Sequence, residues 1–154
     1  MYVRRIRFAT DGSPAALRAA ERLAHMVRNN QETSVTVVAA LPQRPILPSS
    51  PPPELEAERE MGLRREAERA VARTAQVFAS WGLPWSGKVV DGDCACTAIA
   101  RAAEEDLSDL IAMSCVERVF DGSGLPKDVN LTDEVMRRAS VPVLVLPGEG
   151  AAAH

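Results

Sequence analysis

The 154-residue chain is 46% apolar and 25% charged with a net charge of −3, the size and makeup of one globular domain with a single core. That charge gives no electrostatic case for nucleic acid as a main partner, and no apolar run approaches the roughly 20 residues that span a bilayer. The N-terminus, MYVRRIRFATDG, is basic and lacks the apolar stretch of a secretory signal, so the cytoplasm is the expected location.

VRRIRFAT reads as a first strand, with Val3, Ile6 and Phe8 supplying its apolar content. DGSPAA ends it and starts a helix: Ser13 suits the N-cap and Pro14 the first helical position. Ala16, Ala20, Leu23, Ala24 and Val27 then recur at helical spacing. Thr33 to Leu41 is β-branched and dense enough for a strand buried on both faces. The proline-rich stretch Pro42 to Pro53 excludes helix and strand and reads as a mobile surface loop.

A long helix is expected from about Leu55 to Ser80, its inner face marked by Leu63, Ala67, Ala70, Val71, Thr74, Val77 and Phe78. WSGKVVDGD gives a third strand with its exit turn, and CTAIARAAEED a helix burying Ala98, Ile99, Ala102 and Ala103. SDLIAMS is the fourth strand. Leu131, Val135 and Ala139 mark a last helix, and VPVLVLP is the fifth strand. This order predicts an α/β fold: a doubly wound, five-stranded parallel sheet with right-handed crossovers and helices on both faces. Residues 1–147 form the domain and residues 148–154 a disordered tail.

Chemistry in such a fold collects beyond the carboxyl ends of the strands. Asp11 stands there, followed by Gly12. Its carboxylate suits two roles equally: accepting from a ribose or an adenine amino group, or satisfying the backbone N–H groups of its own turn. Asp91 and Asp93, flanking Gly92, read as a turn and N-cap. Cys94, Cys96 and Cys115 have no zinc-type spacing, and His25 and His154 have no cluster around them, so no metal site is expected. There is no GxGxxG, no Walker lysine motif and no GxSxG elbow. A phosphorylated receiver domain would want a lysine ending the fifth strand, where Leu144-Val145-Leu146-Pro147 stands.

Three segments, FATDGSPAALRAAERLAHMV, VVDGDCACTAIARAAEEDLSDLIAMS and DEVMRRASVPVLVLP, together resemble the universal stress protein family, of the small single-domain type, over residues 3 to 147. The resemblance implies the same Rossmann-like fold. It also implies an adenosine-contacting turn at Thr10, Asp11 and Gly12, adenine packing by Ala40 and Met113, and a loop after the fourth strand patterned G-x2-G-x9-G-[ST] that holds ATP in many members. Here Ser114 and Glu117 stand at the first two glycines. The last glycine and its hydroxyl neighbour fall on Val129 and Asn130, with Thr132 two positions on. Glycine reaches positive φ and lets phosphate approach the backbone, which valine and glutamate do not, and Glu117 adds a like charge beside a triphosphate. Gly122, Ser123 and Gly124 offer a different nest.

The expectation is therefore a cytoplasmic, non-enzymatic stress-response module with no firmly held cofactor. Ser114, Asn130 and Thr132 would offer what remains of a weak adenine-nucleotide (ATP or AMP) site. The alternative is an adenine-nucleotide sensor of the same family. The resemblance also implies that the strand Val141–Leu146 lies at a sheet edge, and since an apolar edge strand needs a cover a homodimer through it is expected, along with a protein partner of unstated kind.

Overall fold

The computed structural model describes residues 3–41, 52–91, 95–115, 119–120, 126–127 and 131–148. Positions 42–51 of the proline stretch, Asp93, Cys94, Glu117, Gly122 to Gly124, Val129, Asn130 and the tail from Glu149, singled out above, lie outside them. The loop expected to run to Pro53 ends earlier, because Pro53 takes the first position of a helix, where its missing N–H costs nothing.

The elements are β1 (Arg5–Ala9), α1 (Pro14–Val27), β2 (Ser34–Ala40), α2 (Pro53–Ser80), β3 (Trp85–Val90), α3 (Ala95–Glu105), β4 (Leu110–Ser114), β5 (Val119–Phe120), β6 (Pro126–Lys127), α4 (Leu131–Arg138) and β7 (Val143–Leu146). Five strands form an all-parallel sheet ordered β3-β2-β1-β4-β7, the expected α/β architecture. The last strand starts at Val143 rather than Val141, because Pro142 cannot donate to a ladder. A two-residue antiparallel pair, β5 with β6, was not anticipated; two residues carry no periodicity to read.

Side-chain alternation sorts the core into two layers. Ile6, Phe8, Val35, Val37 and Ala112 point to the face where α1 lays Ala20, Leu23 and Ala24, and α2 lays Ala67, Ala70, Val71 and Phe78. Phe8 and Phe78 meet edge to face at 5.5 Å between ring centroids. Ala9, Ile111 and Met113 point to the other face, under Cys96, Ile99 and Ala103 of α3 and Val135 of α4. Arg7 faces that second layer too and is fully buried, a polar intruder in the central strand. It is ion-paired with Asp106 at the end of α3, which also meets Lys88 of β3 at 3.1 Å. Its Nε and Nη1 have no hydrogen-bond partner among the described residues.

α2 is far longer than the sheet is tall. Its 28 residues span about 42 Å at 1.5 Å per residue, against about 20 Å for a six-residue strand. No residue before Ala67 is buried. Ala70 packs on Gly12, just past the carboxyl end of β1, so the segment from Pro53 to Glu66 extends beyond that end of the sheet.

Candidate functional site

The strand order reverses direction between β1 and β4: the chain leaves β1 toward β2 and leaves β4 toward β7. The crevice outside the carboxyl ends of two such strands is where open α/β sheets take ligands. One wall is the β1–α1 turn. Ser13 caps α1, its Oγ accepting from the Ala16 N–H at 3.2 Å, with Pro14 opening the helix. Gly12 has φ +75°, a conformation glycine enters without steric cost. Asp11 is exposed, and its Oδ1 accepts from the Ser13 N–H at 2.9 Å. Among the described residues its Oδ2 has no partner. The turn role of Asp11 is therefore realised through Oδ1, which leaves Oδ2 outside that bond.

The other wall is the end of β4. Met113 and Ser114 are buried there, Met113 in register with Ala9 and Ser114 with Leu146. Ala40 and Leu131 are half-buried and pack against the apolar cluster that contains Met113. Thr132, in the first turn of α4, is buried. Thr10 is buried and turned inward, its hydroxyl 2.8 Å from that of Thr74.

Sequence reading missed the contribution of α2 to the first wall. Spacing alone places Thr74 on the inner face; the one available signal is a hydroxyl on a stripe otherwise apolar. A separate groove of about 550 Å³ runs over α1, lined in part by Glu21, His25, Trp81 and Leu146. Its Glu21 carboxylate accepts from the Trp81 indole N–H at 2.9 Å, and it is not the crevice described above.

A sequence profile of the universal stress protein family matches residues 2–147. The chain belongs to the universal stress protein family. No curated protein sequence matches this family member. Solved structures do. A universal stress protein family member from Burkholderia pseudomallei superposes with a TM-score of 0.69 at 18% identity, over 94% of this chain and 96% of the other. A universal stress protein in complex with cAMP superposes with a TM-score of 0.69 at 18% identity, over 97% and 100%. One from Archaeoglobus fulgidus in complex with dAMP gives 0.61 at 17% identity, over 94% and 98%. At such identities the likeness establishes the universal stress protein fold. No helix among the described residues is long and apolar enough to cross a membrane.

Proposed function

We propose that this chain is a cytoplasmic, non-enzymatic stress-response module that works as a homodimer and keeps an adenosine-sized cleft without a firm phosphate grip. The observation that carries the reading is the pairing of an intact first wall with an altered loop. Asp11 stands on a capped turn past the carboxyl end of β1, and Met113 is buried at the carboxyl end of the neighbouring β4, whereas Ser114 and Glu117 stand where the family pattern has its first two loop glycines. Adenine and ribose would meet Asp11, Gly12, Ala40 and Met113. The phosphates would meet Ser114, Asn130 and Thr132 at best. β7 is an edge strand with half-buried Val143, Leu144 and Val145, which supports pairing with a second copy.

Two of the structural relatives carry cAMP and dAMP, and this favours a second reading, in which nucleotide binding is itself the signal. Calorimetry on ligand-stripped protein separates the two. We expect AMP and ATP to bind alike and weakly, with ATP in the high micromolar range or above, short of the ~8 kcal/mol of a micromolar site. Low-micromolar ATP affinity overturns the degenerate-loop reading. Glu117→Gly should tighten ATP binding by removing a like charge near the phosphates.

A further inference from the structure

The turn that carries Asp11 is gripped by a helix some sixty residues along the chain. Thr10 and Thr74 are both buried, their hydroxyl oxygens 2.8 Å apart. Thr74 Oγ1 is also 2.8 Å from the carbonyl oxygen of Ala70. A carbonyl only accepts, so the single proton of Thr74 goes there. Thr10 must then donate to Thr74, and the Thr10 oxygen accepts from the Gly12 N–H at 3.0 Å. The polarity of the relay is thereby fixed: Gly12 N–H to Thr10, Thr10 to Thr74, Thr74 to Ala70.

The same helix meets the turn twice more. Arg73 Nη1 donates to the Gly12 carbonyl at 3.3 Å. A Cβ on Gly12 would lie 2.7 Å from the Cβ of Ala70 and 2.9 Å from its Cα, so backbone meets backbone with no slack. Gly12 links Asp11 to Ser13, and the Ser13 N–H is what holds Asp11 Oδ1. A valine at position 74 would fill the same volume on this apolar stripe. Beyond its own helix, and among the described residues, the Thr74 hydroxyl serves to accept from Thr10.

We infer that Thr74 is a positioning residue of the crevice: through Thr10 and Gly12 it sets the direction in which Asp11 presents Oδ2 to a ligand. This rests on the crevice being an adenine-nucleotide site. The test compares the wild type with Thr74→Val, which keeps the shape and loses the hydroxyl, and with Thr74→Ser, which keeps the hydroxyl. AMP affinity is read by calorimetry. Amide exchange of Gly12 and Ser13 is read by NMR and normalised to the core amide of Phe8, which cancels any global loss of stability. Thr74→Val is expected to weaken AMP about tenfold and to speed Gly12 exchange by a similar factor, the scale of one lost buried hydrogen bond. Thr74→Ser should restore both. Wild-type AMP affinity in Thr74→Val, or loss that Thr74→Ser does not rescue, overturns the inference. If the wild type takes up no AMP at all, the nucleotide reading falls. Exchange then decides alone: faster Gly12 and Ser13 exchange in Thr74→Val upholds Thr74 as the residue that positions the turn, and unchanged rates overturn it.

Discussion

Arg7 is a charge in the middle of a parallel sheet. Burial lowers its pKa to about 10, against which the nearby Glu105 carboxylate pulls upward. A guanidinium whose folded pKa is depressed opposes folding while it stays protonated. Above about pH 10 the folded chain gives up that proton before the unfolded chain does, so this residue's contribution to stability rises with pH there. A buried ion pair is often replaceable by apolar groups at no loss, but half of one is costly. Arg7→Met should therefore leave stability unchanged or raise it by about 1–4 kcal/mol in urea unfolding. Asp106→Ala should lower it by about 2 kcal/mol, discounted from a fully buried pair because Asp106 and Lys88 each stay about one-third exposed. An Asp106→Ala protein as stable as the wild type would dismiss the pairing as energetically idle. Asp109 behaves in the opposite sense. Its exposed carboxylate accepts the Arg5 N–H at 2.9 Å and the Arg4 N–H at 3.0 Å, and these bonds hold its pKa below the usual aspartate value. That contribution is present above about pH 4 and is lost as pH falls through the lowered pKa. Asp109→Asn should flatten the acid limb of the stability curve. The Arg7 site was only partly legible in sequence. A central strand of a parallel sheet has no exposed face, so VRRIRFAT had to bury a cation, but that the partner would be Asp106, ninety-nine positions on, depends on where α3 ends.

At the scale of elements, the helices were the readable part. Every inner-face alanine expected on α1 and α3 is buried, because a 3.6-residue period survives in the sequence whatever lies opposite. How a helix stops was less readable. α3 closes with Leu107 at φ 53°, while the Ser108 N–H reaches back to the Ala103 carbonyl at 3.0 Å. Glycine usually occupies that left-handed position, and Leu107 gains nothing there by burial, being 74% exposed. Leu107→Gly should stabilise the chain by about 0.5–1 kcal/mol, part of the relief being offset by glycine's freedom in the unfolded state. A lower thermal midpoint would show that the leucine packs against something in solution. The β1–α1 turn offers the converse experiment. Gly12→Ala combines positive φ with contact on the Ala70 backbone and should cost about 3 kcal/mol or more.

For the whole molecule, the sheet has two edges, β3 and β7. The apolar character of the last strand was legible because both alternating sets are apolar, which suits burial on two faces; its edge position came from the family resemblance, and what covers the free edge is a property of two chains, beyond any intrachain pattern. Sedimentation equilibrium at tens of micromolar should return the mass of two chains, and a monomer at that concentration would sink the dimer. The crevice was legible at its first wall, where Asp11, Gly12 and Ser13 combine turn chemistry with strand-end position. It was not legible where α2 supports that wall, since a relay from Thr10 to Thr74 leaves no trace in local spacing.

The overhang of α2 sets two regimes of motion within one helix. From Ala67 onward its amides open only when the layer between α2 and the sheet opens. From Pro53 to Glu66 no buried side chain holds the turns, so they behave as an isolated peptide helix does, marginal at such length and fraying from its end. Gly62, with open space around it, deepens the weakness by about 1 kcal/mol relative to alanine. Hydrogen–deuterium exchange along α2 should therefore fall steeply across Leu63 to Ala67, fast before and slow after. Gly62→Ala should slow the first half and leave the second unchanged. A helix with such a gradient is rigid where it grips the Asp11 turn and compliant where it reaches past the strands, so a force applied at its tip would be spent in local unwinding before it moved the turn.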